Sequence, residues 1–265
     1  MFDKPAFIIA YHAQEVLFMD LGATATHLLL LIGLILFRWL VHKEDPRSFK
    51  ISIDRKGWVC FVNGALTGLI YIFSYVIIIL LSGHARLSLA FTWPCIQSTI
   101  ALGVKAFILF LPEVLFKEGL FRGYLFVKLS EKPKTLPKAV AVTSLAYVAY
   151  SLILHKPPSY AVTYGVNTFI LSLILCLMVY SSNSLMGVIG KELAFEIAQH
   201  LLFAQNTIDD LNPTALSLHL VYASPLTGIA GNIETGLAFS LVLVLGLIYE
   251  IWHVKSHLGH LRPEN

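Results

Sequence analysis

Charge is what this chain has least of. Asp, Glu, Lys and Arg together make up 13% of its 265 residues, against 57% apolar residues, and the mean hydropathy is +0.74. A soluble globule carries about 25% charged residues, so this composition excludes a water-soluble domain and predicts a polytopic membrane protein. The net charge is only +3, and Lys and Arg gather in short stretches between apolar runs instead of forming a basic face. They read as topology signals, and no nucleic-acid partner is expected. Cysteine is scarce too. Cys60, Cys95 and Cys176 lie far apart in or beside apolar segments, with no CxxC or His-Cys cluster. Neither a disulfide framework nor a zinc site is expected, and the three read as small buried hydrophobes. No internal repeat, low-complexity tract or soluble domain interrupts the chain, which predicts a single transmembrane domain over 1–265. The first apolar segment is too long for a signal-peptide core and lacks a small-residue cleavage site, so it reads as retained.

What is present is a series of long apolar runs. Seven spans are predicted, at about Val16–Val41, Trp58–Leu81, Ile96–Leu129, Ala139–Leu154, Ala161–Tyr180, Leu185–Ala204 and Gly236–Trp252. The fold class is all-α, a membrane helix bundle. Gly64, Gly68 and Ser74 in span two would let a neighbouring helix approach closely. Span three would overshoot a hydrocarbon core of about 30 Å as a straight helix, and Pro112 is its expected kink. Trp39, Trp58, Trp93 and Trp252 fall at span ends as interface anchors, and Arg38 is grouped with Trp39 in that role. Placing the N-terminus outside leaves three cations on the outer side (Lys4, Arg86, Lys156) and eleven on the inner side. That asymmetry predicts an N-out, C-in protein of a bacterial-type cytoplasmic membrane.

The runs are interrupted where polarity is costly. Pro112-Glu113-Val114-Leu115-Phe116-Lys117-Glu118-Gly119-Leu120-Phe121-Arg122-Gly123 sets four ionisable residues inside an apolar stretch, which marks a functional site by default. On a helix Glu113 and Lys117 share a face, as do Glu118 and Arg122. In span six Glu192, Glu196 and His200 follow at i, i+4 and i+8, a polar stripe that must face inward. His155 ends span four. Three helices thus offer acid, base or imidazole groups to one cavity.

These residues carry a resemblance. Lys117-Glu118-Gly119-Leu120-Phe121-Arg122-Gly123, then Ser151-Leu152-Ile153-Leu154-His155, then Asn183 to Glu192 with Glu196, resemble the CAAX-protease and bacteriocin-processing family of intramembrane proteases. That family orders a Glu-Glu-x-x-x-Arg motif, a Phe-x-x-x-His motif and a His-x-x-x-Asn/Asp motif. The resemblance spans about Ile51 to Ile251, and Leu226–Gly236 is similar to the Gly-rich approach to the last helix of bacterial members. It implies a site in which the leading Glu and two His activate water for peptide hydrolysis while Asn stabilises an oxyanion. By position, Glu118, Arg122 and His155 stand at the second Glu, the Arg and the first His. Lys117 replaces the leading Glu, Ser151 the Phe, Glu192 the second His and Glu196 the Asn.

The departures are chemically coherent. An ammonium at 117 is no general base at neutral pH, and a carboxylate at 196 repels an oxyanion. An acid-to-base change on span three accompanies changes to acid on span six, as a Lys117–Glu192 or Lys117–Glu196 ion pair would need. The first expectation is therefore a catalytically inactive relative serving as a scaffold, assembly factor or subunit of a membrane complex, with the bilayer and other integral membrane proteins as partners and no cofactor. The second is an active intramembrane endopeptidase with a rearranged site, Glu118 as base and His155 as its partner, cleaving membrane-associated or prenylated peptides. A third, weaker reading is a cation site on Glu118, His155, Glu192 and Glu196, against which Lys117 argues. Blander roles are expected elsewhere: Glu113 as partner of Lys117 or Lys105, His27 as a core histidine, His200 as an extension of the stripe, and His253, His257 and His260 as a solvated tail.

Overall fold

The structure, a computed structural model, describes residues 4–41, 43, 50–131, 135–155, 161–203, 214–221, 224–228 and 232–259, with side chains left out at 4–20, 155 and 257–259. Among the described residues there are seven long helices. They are α1 (Lys4–Val41), α2 (Arg55–Leu81), α3 (Trp93–Leu129), α4 (Leu136–His155), α5 (Ala161–Ser182), α6 (Met186–Phe203) and α7 (Leu237–Gly259). This is an all-α membrane bundle, and six of the helices are long and apolar enough to span a bilayer.

The exception, α6, shows why the sequence tolerates charge there. Every residue from Ser184 to Leu193 is buried, so α6 is enclosed by protein and need not present an apolar face to lipid. It is held by backbone-to-backbone packing on α2. A Cβ on Gly64 would meet the backbone of Gly187, one on Gly68 the carbonyl of Lys191, and one on Gly190 the carbonyl of Phe61. The close approach expected of Gly64 and Gly68 is thus made, with α6 as the neighbour. Ile72, Tyr75 and Ile79 of α2, Ile174 and Leu175 of α5, Val188 of α6 and Phe239 of α7 share one core. Helix α1 stands to one side, with Leu34 on Phe116 of α3.

Local chemistry sets several ends. Asp54 caps α2 by accepting from the Gly57 N–H at 2.8 Å, and the Ser184 hydroxyl accepts from the Met186 N–H at the start of α6. Pro94 opens α3 where its missing N–H costs nothing. Trp39, Trp58 and Trp93 are exposed near helix ends, and Trp252, also exposed, lies about two turns before the end of α7. Arg38 departs from the anchor role expected of it. It is 3% exposed and donates to the Gly123 carbonyl at 3.1 Å. That carbonyl lies in a π-helical segment of α3, Gly119–Phe126. The helix continues through Pro112, which lacks an N–H, and its hydrogen-bond pattern widens at Gly119. Widened turns of this kind recur at functional positions.

One feature was not expected. The α2–α3 and α6–α7 connections pair as a two-stranded antiparallel sheet, β1 (Ala85–Leu89) with β2 (Leu216–Leu220), in the register Ala85 to Leu220 and Leu89 to Leu216. Both connections therefore lie on one face of the bundle. Beyond β2, Tyr75 donates to the Thr227 carbonyl at 2.7 Å, and Asn167 of α5 donates to the carbonyls of Glu234 and Gly236. Gly228 sits at φ +76° against Thr235, where a side chain would be strained and would clash. These bonds fix a short 3-10 turn, Ile233–Thr235, at the head of α7.

Candidate functional site

Helices α3, α4, α5 and α6 and the turn before α7 meet around a polar cavity of about 30 Å³, lined by Lys117, Tyr147, Ser151, Tyr164, Thr168, Glu196 and Glu234. A void of that size holds one or two water molecules. Lys117 is 5% exposed. Its ammonium lies 3.0 Å from Glu113 Oε1, one turn back on the same helix, and 3.8 Å from Glu196 Oε1 across the cavity.

Behind Lys117, Glu118 and Arg122 form a second pair at 2.8 Å with neither side chain exposed. Arg122 also donates to Ser172 Oγ of α5 at 2.8 Å, and its guanidinium stacks 4.2 Å from the centre of the Tyr147 ring. Tyr147 therefore joins the arginine to the cavity. The second Glu118 oxygen, Oε2, has no hydrogen-bond partner among the described residues. Glu118 does not line the cavity.

The α6 stripe divides by height. Glu196 lines the cavity. Glu192 is 3% exposed and acts by charge on Lys117, Arg122 and Glu234, with no close pair of its own among the described residues. His200 lies outside the cavity and meets the Phe110 ring edge-on at 5.7 Å. His27 of α1 packs against Phe116. Ser151 lines the cavity from α4, while the side chain of His155, one turn later, lies outside the described residues. Among the described residues no three His, Cys, Asp or Glu side chains group as a metal site would need.

Sequence reasoning missed Tyr147, Tyr164, Thr168 and Glu234. The first three look like ordinary members of apolar helices. Glu234 stands in a Gly-rich connection with no helical period to aim it, and only the Asn167 bonds bring it inward. Burial pushes its carboxyl up to about 7, with the Glu192 charge adding to the effect and the Lys117 ammonium opposing it. Lys191, also unremarked, is 1% exposed and rests over the Tyr71 ring at 4.2 Å.

Chemically the cavity is a small, polar, ion-paired pocket. Its cation is neutralised by two carboxylates, and a third carboxyl, Glu234, titrates near neutrality. It can hold a water and exchange a proton with it.

Fold and site together define a multi-pass integral membrane protein built around a buried polar cavity. Residues 99–196 match the family model described as Type II CAAX prenyl endopeptidase Rce1-like. The chain is similar to that family over a range that contains Lys117, Glu118, Arg122, Ser151, His155 and Glu192 and ends on Glu196, which supports the resemblance carried by the motifs. No curated protein and no solved structure matches the chain.

Proposed function

We propose that this protein is a catalytically inactive relative of the intramembrane CAAX-type proteases and serves as a scaffold, assembly factor or subunit of a membrane complex. The proposal includes an N-out, C-in orientation in a bacterial-type cytoplasmic membrane, on the Lys and Arg asymmetry of its loops. The observation that carries the reading is Lys117. It occupies the position of the family's leading glutamate, and its ammonium is tied to Glu113 and Glu196 in a cavity of about 30 Å³. A cation in that place cannot accept the proton of an attacking water, and the adjacent carboxylates disfavour a developing oxyanion.

The test is a peptidase assay on the full chain reconstituted in vesicles with membrane-associated and prenylated peptides. No cleavage above the vesicle blank is expected, and Glu118→Ala and His155→Ala variants that fold should retain whatever association the wild type shows with its membrane partners. Cleavage by the wild type that disappears in Glu118→Gln and His155→Ala would overturn the proposal in favour of a rearranged peptidase.

A further inference from the structure

A second site lies away from the ion-paired cavity, where α2 and α7 diverge. A lipid-facing groove of about 640 Å³ runs between them, lined chiefly by Ile70, Tyr71, Ile77, Ile78, Val242 and Leu245. It shares Thr67 and Tyr249 with a more polar cavity of about 200 Å³, lined by Asn63, Ser181, Ser182, Glu250 and His253 among others. The two form one amphipathic channel. Its polar half lies where α5 ends and α6 begins, and its apolar half runs deeper along two antiparallel helices.

Two polar groups in this channel lack a hydrogen-bond partner among the described residues, the Tyr71 hydroxyl fully buried and the Glu250 carboxyl opening into the cavity. Glu250 is 5% exposed and lines the polar half, yet it makes no hydrogen bond or ion pair within 4 Å among the described residues. The opposite charge it feels, Lys191, acts from further off. The Tyr71 hydroxyl on the groove wall likewise has no partner among the described residues, and it fits there because Gly246 has no side chain to exclude it. A carboxylate that opens into the channel within an apolar span favours a cationic donor.

Size selects the occupant. A transmembrane helix of about 10 Å diameter would fill 640 Å³ in about one and a half turns, too short a contact to hold a partner protein. A single hydrocarbon chain fits the apolar half along its length. Depth agrees as well: Glu250 lies within the apolar stretch Leu237–Ser256, at the polar end of the channel. Lys50 donates to the Asn183 side chain at 2.7 Å, beside Ser182 on the rim, and places a cation on the face where a lipid phosphate would lie.

We propose that the channel between α2 and α7 binds one membrane lipid with a primary ammonium head group, its hydrocarbon chain along Ile70, Ile77 and Leu245 and its ammonium on Glu250. The ammonium gives Glu250 a charge-assisted hydrogen bond. A purely anionic head group would instead bring like charge to the carboxylate. The site is independent of the cavity around Lys117 and holds whether or not that cavity is catalytic.

The experiment is native mass spectrometry of the full chain released from vesicles of equal parts phosphatidylethanolamine, phosphatidylcholine and phosphatidylglycerol. One retained phosphatidylethanolamine, favoured about tenfold over each of the others, is expected. Glu250→Gln should bring the three lipids to parity, and Leu245→Trp, at a lipid-exposed position, should abolish retention. Thermal midpoints report whether both variants fold. An acyl-chain diazirine on phosphatidylethanolamine should label α2 and α7 peptides in the wild type, a readout that needs no variant. Equal or greater retention of phosphatidylglycerol, ethanolamine selectivity unchanged in folded Glu250→Gln, labelling confined to other helices, or a co-purifying polypeptide with no bound lipid would each overturn the proposal.

Discussion

Replacing Lys117 with methionine removes the ammonium while keeping an unbranched side chain of similar reach. At an effective dielectric constant near 20, the gross attraction is roughly 5 kcal/mol to Glu113 at 3.0 Å and roughly 4 kcal/mol to Glu196 at 3.8 Å. Most of this offsets the cost of burying the charge, so the net value of the cluster is small. Removing the cation alone is different, because it leaves two carboxylates facing one another with nothing between them. The expected loss is about 3 kcal/mol, the lower end for one-sided disruption of a buried pair. The glutamate side chains keep 21% and 24% of their exposure and can recruit water or a proton. Unfolding in mixed micelles by added dodecyl sulfate, followed by tryptophan fluorescence, measures it. Double-mutant cycles with Glu113→Gln and Glu196→Gln should give coupling energies of about 1 to 2 kcal/mol, larger for Glu113 because it is closer. The triple variant should return close to wild-type stability. Lys117→Met unfolding at the same dodecyl sulfate fraction as wild type, or zero coupling to both glutamates, would refute the ion-pair lock.

Arg122→Lys should cost about 3 kcal/mol in the same unfolding assay, because an ammonium cannot bond Glu118 and Ser172 at once while stacking on Tyr147. Gly190→Ala should cost about 2 kcal/mol or more, since the new Cβ meets the Phe61 carbonyl and pushes α6 off α2, whereas alanine at Gly22, where nothing lies nearby, should be neutral. Glu234 predicts a pH dependence. Its folded carboxyl titrates near 7 against an ordinary 4.5, so between those values the folded state holds a proton that the unfolded state has lost. Stability should then fall as pH rises from about 5 to 8, by on the order of 2 kcal/mol, and Glu234→Gln should flatten that slope in unfolding midpoints taken across the range.

The sequence by itself determined what depends on local period and composition. Most span ends came out within a few residues, the start of α1 and the end of α7 excepted, because apolar runs, prolines and tryptophans mark where a helix leaves the bilayer whatever its neighbours are. The Glu113–Lys117 and Glu118–Arg122 pairs were legible for the same reason, since four residues on a helix bring side chains together without help from elsewhere. The small-residue face of α2 was legible too, though not the helix it would meet. Tertiary structure decided everything that depends on how each helix is rotated. It turned Glu196 toward Lys117 and left Glu192 without a close pair among the described residues. It faced His200 to Phe110 and drew Arg38 inward onto the π segment. It also brought Glu234 to the cavity from a connection without periodicity, through Asn167 more than sixty residues earlier. The β1–β2 sheet was invisible to a local reading because its strands lie on two separate connections and pair only after the helices between them have packed. The amphipathic channel belongs to the same class, since a divergence between α2 and α7 is a property of the packed pair and of neither helix alone.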